Sequence, residues 1–145
     1  MIRLEIVDPG NWRLGLKVSE SQRRFVSDDM RLLARAYAYR ASRSNAYVIY
    51  NNDVPVGMAL YYDCDALNAF DFSQIFIDER YQGNGFGTEA AKQILAAMKS
   101  DGKYDKVILC YVDGNDAAKS MYEKLGFHLT GERDEDEIIM EKELK

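Results

Sequence analysis

Residues 82–88, with the sequence QGNGFGT, have the composition of a turn that binds phosphate. They follow a run of β-branched and aromatic residues that contains Ile75, Phe76 and Ile77, and they precede a run with apolar residues at helical spacing. Glycine lets the backbone turn sharply and approach a ligand closely, and the first N–H groups of the following helix have no partner inside that helix. Because such a turn suits a phosphate, the sequence predicts a pyrophosphate-bearing cofactor here.

The spacing of the glycines separates this turn from two common phosphate-binding motifs. A dinucleotide fingerprint requires GxGxxG, but Thr88 holds the sixth position counted from Gly83, and Lys103 and Tyr104 stand where an acidic residue would be needed. A Walker loop requires Gly-Lys-Ser/Thr, which does not follow. The remaining pattern, Q-x-x-G-x-G, resembles the acetyl-coenzyme A loop of the GNAT N-acetyltransferase superfamily. The alternative is a turn between strand and helix that binds no ligand.

Residues 115–127, NDAAKSMYEKLGF, resemble a second motif of that superfamily. The pattern predicts a short helix that begins at Asn115, carries Tyr122 and ends at Gly126 in a left-handed cap, after which Phe127 starts a strand. Two motifs in the correct order are more specific than either one alone. The resemblance covers residues 46–143, and the start of the chain more loosely.

The resemblance to the GNAT superfamily implies both a fold and a reaction. The fold is α/β (α+β), with a mixed, mostly antiparallel twisted sheet of about six to seven strands, helices on both faces, and two strands splayed apart to admit the cofactor. The reaction moves an acetyl group from acetyl-CoA to a primary amine of a small molecule by direct attack in a ternary complex. The length of 145 residues suits a single such domain, residues 1–145.

The resemblance also assigns roles to individual residues. Tyr122 matches the general acid, because a phenol with an ordinary pKa near 10 keeps its proton at pH 7 and can donate it to the departing thiolate. A bulge in the strand at residues 73–77 would aim backbone N–H groups at the thioester carbonyl. The residues expected to bind acetyl-CoA are Ile75, Phe76, Ile77, Gln82, Gly83, Asn84, Gly85, Phe86, Gly87, Thr88, Asn115 and Lys119.

The acceptor site of the superfamily is built from the N-terminal part of the chain. Gln-x-x-Phe-Val at residues 22–26 looks like a phrase of the spermine/spermidine acetyltransferase branch, although simple helix packing explains Phe25 equally well. A polyamine is the expected acceptor, and a peptide N-terminus or an antibiotic amine is the alternative. The residues expected to contact the acceptor are Glu20, Gln22, Phe25 and Asp71. The general base stays open between Asp71, Glu20 and a relayed water.

A non-catalytic acyl-CoA-binding module is the competing hypothesis from a different class. Such a module needs the glycine-rich loop but not the phenol, so the presence of Tyr122 beside the complete loop favours the enzyme. The net charge of −5 and the pI of 4.9 argue against a nucleic-acid partner and are compatible with a cationic substrate.

The remaining composition argues against several other classes of protein. With one histidine and two separated cysteines, no metal site or disulfide is expected, and Cys64 and Cys110 are predicted to pack as small hydrophobic residues. No apolar run approaches the roughly 18 residues of a membrane span, and the N-terminus does not resemble a signal peptide, so we expect a cytoplasmic protein. Exposed strands near the C-terminus would allow a homodimer.

Periodicity predicts the elements that position these residues. Strands are predicted at residues 2–7, 46–51 and 54–62, the last two joined by a hairpin turn at residues 52–53. Residues 11–18 have apolar positions at helical spacing. A longer helix begins at Asp29, and its predicted apolar face consists of Met30, Leu33, Ala34, Tyr37 and Ala38. Residues 129–131 and 138–140 are predicted strands around an acidic hairpin tip.

Overall fold

A computed structural model describes residues 1–25 and 28–145. The helices and strands, in chain order, are β1 (Ile2–Ile6), α1 (Asp29–Ala38), β2 (Asn45–Asn51), β3 (Val54–Cys64), β4 (Ala69–Ile77), α2 (Phe86–Asp101), β5 (Lys106–Val112), α3 (Asp116–Lys124), β6 (His128–Asp134) and β7 (Glu137–Glu143). Short 3₁₀ turns lie at Glu20–Gln22 and Glu79–Tyr81, among others. Val26, the last residue of the Gln-x-x-Phe-Val phrase, lies outside the described residues.

The strands form one sheet in the order β1-β2-β3-β4-β5-β7-β6. Every neighbouring pair is antiparallel except β4 and β5, which are parallel. The predicted mixed, mostly antiparallel sheet is therefore confirmed. The predicted hairpin is also present, because β2 and β3 are joined by a turn in which Asn52 has a φ of 55°. The homodimer proposed from the C-terminal strands stays a prediction.

The sheet opens between its two parallel strands. β4 and β5 pair only at Phe70↔Val107 and Asp71↔Ile108, and then diverge. On its other side β4 carries a bulge, since Leu60 of β3 faces Gln74 while Tyr61 faces Phe72, which leaves Ser73 without a partner in the register. A bulge bends its strand and increases the local twist. The gap and the bulge therefore lie within a few residues of each other, in the middle of the sheet.

Alternation along the strands places a hydrophobic core on each face of the sheet. In β3, Ala59 and Tyr61 pack with α2 and α3, whereas Met58, Leu60 and Tyr62 pack with α1 on the opposite face. α2 contributes its buried stripe Ala90, Ala91, Ile94, Leu95 and Met98. Full burial of one large aliphatic side chain stabilises a fold by about 1.5–3 kcal/mol, so these contacts fix α2 and α3 against one face. The helices on both faces were correctly predicted.

Two predictions for the N-terminal part are wrong. Residues 14–19 form neither a helix nor a strand: Gly15 has a φ of +70°, and beyond it Leu16 and Val18 are buried while Lys17 between them is exposed. In α1 the buried residue is Leu32, whereas Met30 and Tyr37 are 61% and 69% exposed. Apolar residues occur on more than one side of α1, so periodicity alone does not show which side is buried. Contact with the sheet determines that side.

One cysteine was also misplaced. Cys110 is exposed and Cys64 half-buried, so Cys110 does not pack as a small hydrophobic residue. The reason is its position on β5 beyond the point where β4 diverges, where its side chain lines a cavity instead of a neighbouring strand. None of the helices in the described part of the chain is long and apolar enough to cross a membrane.

Candidate active site

Two cavities meet where β4 and β5 separate. The first, here called the cofactor cavity, has a volume of about 300 Å³. It is lined by Ile75, Phe76, Ile77, Tyr81, Gln82, Gly83, Gly85, Phe86, Gly87, Asn115, Ala117, Ala118 and Met121. Most residues predicted to bind acetyl-CoA are thus brought together, whereas Asn84, Thr88 and Lys119 do not line the cavity. Sequence reasoning missed Tyr81 and the apolar side of α3, which the small residues Ala117 and Ala118 could have indicated.

The glycine-rich turn leads directly into α2. Gly83 and Gly85 have φ values of +82° and +79°, and no atom lies within 4 Å of the place where a Cβ would stand. The left-handed backbone therefore requires glycine here, and the space in front of the turn is open to a ligand. Gly85 is the N-cap of α2, whose first N–H groups have no carbonyl partner within the helix. This arrangement fits a pyrophosphate.

The start of the turn is held by a buried carboxylate. Asp78 is 1% exposed, and its side chain accepts hydrogen bonds from the backbone N–H of Lys17 at 3.0 Å and from Nε of Arg80 at 2.8 Å. Burial alone would raise the pKa of Asp78, but these donors outweigh it and hold the pKa below its usual range. The carboxylate is charged at neutral pH and ties the turn to the N-terminal segment.

Gln22 contacts this turn rather than the predicted acceptor site. Its amide pairs with the amide of Gln82 in both directions, at 3.0 and 2.9 Å, and Gln82 also donates to the carbonyl of Ile77 at 2.9 Å. Sequence reasoning placed Gln22 near the acceptor. In the structure the Gln22 side chain braces the cofactor turn against the end of β4.

Beyond Asp71, the edge of β4 that faces β5 is free of strand pairing in the described part of the chain. Residues 75–77 of this edge line the cofactor cavity. An exposed strand edge can pair with an extended ligand through its backbone groups. The edge and the glycine-rich turn together fit a molecule with an extended amide-bearing arm and a pyrophosphate, which is the chemistry of coenzyme A.

The second cavity, here called the acceptor cavity, has a volume of about 470 Å³. Its lining comes from both faces of the sheet: Arg23, Arg24, Phe25, Arg31, Arg35, Tyr39, Tyr62, Asp71, Ser73, Gln74, Ile75, Cys110, Tyr111, Val112, Asn115, Ala118, Met121, Tyr122 and Glu137. Ile75, Asn115, Ala118 and Met121 line both cavities, so the two spaces adjoin. Phe25, Asp71 and Tyr122 were predicted, whereas Glu20 and Gln22 do not line the acceptor cavity.

Tyr122 lies on α3 at the wall of the acceptor cavity. Its side chain is 9% exposed, and its ring packs edge-on against Phe127 with 5.8 Å between centroids. Burial raises the pKa of Tyr122 to about 12. The phenol therefore keeps its proton at any physiological pH and can act only as a hydrogen-bond or proton donor toward a forming anion.

Asp71 occupies the last paired position of β4 before the gap. Burial raises its pKa to about 6, with a further contribution from the charge of Glu137, while the charge of Arg35 acts in the opposite direction. At pH 7 to 8 the carboxylate is mostly ionised, yet its affinity for a proton is higher than that of an ordinary aspartate. Such a group can accept a proton from an ammonium close to neutral pH.

Comparison with known proteins agrees with this arrangement. Residues 14–127 match the model of the Acetyltransferase (GNAT) family, and the chain belongs to that family. It is accordingly an N-acetyltransferase, and its family uses acetyl-CoA. The enzyme class predicted from the two motifs is thereby confirmed.

Individual relatives give different substrate names. The chain is 35% identical over 102 residues to a spermine/spermidine N(1)-acetyltransferase of Bacillus subtilis (strain 168), a match that covers 66% of each protein. Its fold is similar to that of spermidine N-acetyltransferase from Vibrio cholerae in complex with CoA and spermine, with a TM-score of 0.79, 17% identity, and coverage of 99% and 95%. It is also similar to an aminoglycoside acetyltransferase in complex with coenzyme A, with a TM-score of 0.81, 14% identity, and the same coverage.

Proposed function

We propose that this chain, acting as one domain over residues 1–145, transfers the acetyl group of acetyl-CoA to a primary amine of a small molecule in a ternary complex. The observation that carries this proposal is the contact between the two cavities. They share four lining residues, and the lining of the acceptor cavity includes the phenol of Tyr122, which stays protonated, and the carboxylate of Asp71, whose pKa is raised. A donor and an acceptor bound side by side can react directly.

The cofactor cavity would hold coenzyme A through backbone groups. Amides of residues 82–88 and the N-terminus of α2 would bind the pyrophosphate, and the free edge of β4 at residues 75–77 would pair with the pantetheine arm. Acetyl-CoA supplies an activated thioester carbonyl. Backbone N–H groups near the bulge at Ser73 would stabilise negative charge on an oxygen placed beside them, an effect worth several kcal/mol in other enzymes.

Proton transfer is assigned to two side chains. Tyr122 donates a proton to the departing thiolate, because its pKa of about 12 keeps it protonated before the reaction. Asp71 receives the proton of the attacking amine, directly or through a water, because its pKa of about 6 leaves it ionised at pH 7 to 8. Asp71 is a better assignment than Glu20, which does not line the acceptor cavity.

A polyamine is the acceptor that the relatives and the Gln-x-x-Phe-Val phrase support. Within the acceptor cavity, Asp71 and Glu137 provide two carboxylates that could pair with ammonium groups. The positive charges that line the same cavity act against this choice, so both cationic and anionic amines must be tested as acceptors.

Thiol release from acetyl-CoA tests the proposal. The purified chain is assayed with spermine, spermidine, putrescine, lysine, aminoglycosides and peptides with free N-termini, and with the anionic amines 4-aminobutyrate and phosphoethanolamine. The acetylated product is identified by mass spectrometry. We expect release that depends on the added amine. Measurable acetyl-CoA binding with no amine-dependent release from any of these compounds would contradict the proposal and favour a non-catalytic acyl-CoA-binding module.

A further inference from the structure

Four arginines line the acceptor cavity: Arg23, Arg24, Arg31 and Arg35. The carboxylates of the same lining are only Asp71 and Glu137. This local excess of positive charge occurs in a chain whose net charge is −5. The acceptor cavity is therefore cationic within an acidic protein, which is the reverse of what a polycationic acceptor requires.

In the described part of the chain these four arginines, like Arg13 and Arg40, form no ion pair with a carboxylate, whereas Arg43 and Arg80 do. Arg43 binds Asp63 at 2.7 Å and Asp101 at 3.0 Å, and Arg80 binds Asp78 at 2.8 Å. Across residues 1–25 and 28–145, none of the four cavity arginines forms an ion pair with a carboxylate. The contacts found instead are a 3.4 Å hydrogen bond from Arg35 to the hydroxyl of Ser73 and the stacking of Arg24 over the ring of Phe25 at 4.6 Å.

The arrangement on α1 has an electrostatic cost. Arg31 and Arg35 are four residues apart, so they lie on the same side of the helix, where like charges destabilise it. A bound anion would relieve this repulsion. Guanidinium groups are well matched to this task, because their N–H groups form two parallel hydrogen bonds to a carboxylate or a phosphate.

We infer that the acceptor is a primary amine that also carries a carboxylate or a phosphate, and that Arg31 and Arg35 bind this anionic group. The inference rests on the proposed acetyl transfer to an amine. The ammonium group is directed toward Asp71 on β4, and the anionic group toward the exposed arginines of α1 and of residues 23–24. The cavity volume of about 470 Å³ is within the usual range for a small-molecule site.

Binding to the chain saturated with coenzyme A tests the inference without requiring catalysis. Three compounds with the same four-carbon length are compared by calorimetry: 4-aminobutyrate, n-butylamine and putrescine, which end in a carboxylate, a methyl group and an ammonium group. We expect 4-aminobutyrate to bind at least about tenfold more tightly than putrescine, the usual scale for one charged hydrogen-bonding contact. Phosphoethanolamine measured against ethanolamine shows whether a phosphate replaces the carboxylate.

A double variant shows which residues are responsible. Arg31→Gln with Arg35→Gln should weaken the binding of the preferred anionic amine by about 10- to 100-fold, with coenzyme A binding near wild type. Arg13→Gln is the control, because Arg13 contacts the ring of Trp12 and does not line the acceptor cavity. Weaker coenzyme A binding in the double variant, with amine binding unchanged, would show that these arginines serve the cofactor and would overturn the inference.

The two proposals fail in different ways. Tighter binding of putrescine or spermidine than of either anionic amine, or no binding of the anionic amines, overturns the anionic acceptor. Acetylation of polyamines alone would leave the proposed transferase function intact. Tight binding of an anionic amine with no thiol release would support the anionic acceptor but contradict the proposed acetyl transfer.

Discussion

The cofactor cavity and the acceptor cavity adjoin, but they are built from different kinds of groups. The cofactor cavity comes from three short segments, residues 75–77, 81–87 and 115–121, and its lining includes three glycines, two alanines and the unpaired edge of β4. The acceptor cavity is formed by long side chains that project from more than six places along the chain, many of them charged. Backbone geometry defines the cofactor cavity, whereas the side chains that converge on the acceptor cavity define that one.

This difference explains why one fold accepts many acceptors. A backbone loop that binds pyrophosphate tolerates little change, because positive φ values at Gly83 and Gly85 fix it. Side chains that line the acceptor cavity can change without altering the backbone. The chain shares its fold both with a structure named as a spermidine acetyltransferase and with one named as an aminoglycoside acetyltransferase, at 17% and 14% identity. Acceptor identity must therefore be argued from the charges of the cavity itself.

The largest expected effect is that of Tyr122→Phe. Removal of the hydroxyl takes away the proposed proton donor but keeps the ring that packs against Phe127. We expect kcat to fall by about 10²- to 10⁴-fold, the usual range for a proton-transfer group, with acetyl-CoA binding near wild type. Steady-state thiol release and calorimetry measure the two quantities.

Tyr61→Phe is the matched control for this variant. Tyr61 is a buried tyrosine of the same core that lines neither the cofactor cavity nor the acceptor cavity. An unchanged kcat in Tyr122→Phe would remove this phenol from the mechanism. Equal losses in both variants would mean that general disturbance of the core, and not proton transfer, causes the effect.

Asp71→Asn is expected to have a smaller effect on the reaction. If Asp71 accepts the amine proton, kcat/KM should fall by about 10- to 100-fold at pH 8. This is the lower end of the range for loss of a general base, because water can partly replace the carboxylate. In the wild-type protein kcat/KM for the amine should decline as the pH falls through about 6, the pKa of Asp71. The variant should lose this acidic limb. A limb that is retained in Asp71→Asn would assign the base to another group.

The same substitution should stabilise the protein at high pH. The folded-state pKa of Asp71 lies above its ordinary value of 3.8, so the folded state binds more protons and loses stability as the pH rises from about 4 to about 6. At pH 8 Asp71→Asn should raise the free energy of unfolding by about 1–3 kcal/mol, and this gain should shrink toward pH 4. Urea unfolding measures both. Asp78→Asn is the contrasting control and should destabilise at pH 8, because the pKa of Asp78 is lowered.

Features that depend on local backbone conformation could be predicted from the sequence. The glycine-rich turn, the helix that carries Tyr122 and the hairpin at residues 52–53 were predicted in this way, whereas the mixed sheet was predicted only from the family resemblance. Each of the first three depends on residues close together in the chain, such as glycines at positive φ or alternating apolar positions. The turn and the Tyr122 helix also occur in an order that identifies the family.

Features that depend on contacts between distant parts of the chain could not be predicted from the sequence. Helical spacing in residues 11–18 was overridden by the burial of Leu16 and Val18 under the sheet. The arginines at residues 23–24 and 31–35 resemble any solvated helical face until the gap between β4 and β5 brings them around one cavity. The total charge of −5 is compatible with a cationic substrate, but it does not reveal that four arginines line the acceptor cavity.

The smallest effect expected here separates loop geometry from general stability. Gly85 and Gly102 lie at opposite ends of α2, with nearly equal φ values of 79° and 76°, and at neither glycine does an atom lie within 4 Å of the place that a Cβ would occupy. Alanine in this left-handed conformation costs about 1–2 kcal/mol at either site, so both variants should lose similar stability. Gly85 lines the cofactor cavity and Gly102 does not.

If backbone geometry defines the cofactor cavity, Gly85→Ala should raise the KM for acetyl-CoA by about 5- to 30-fold, because relief of that strain moves the N–H groups of the turn. Gly102→Ala should leave this KM near wild type. The KM for the amine should not change in either variant, since neither glycine lines the acceptor cavity. Equal KM values for acetyl-CoA in both variants would show that the turn is not the phosphate site. The cofactor cavity would then not be defined by backbone geometry, and the contrast with the acceptor cavity would no longer hold.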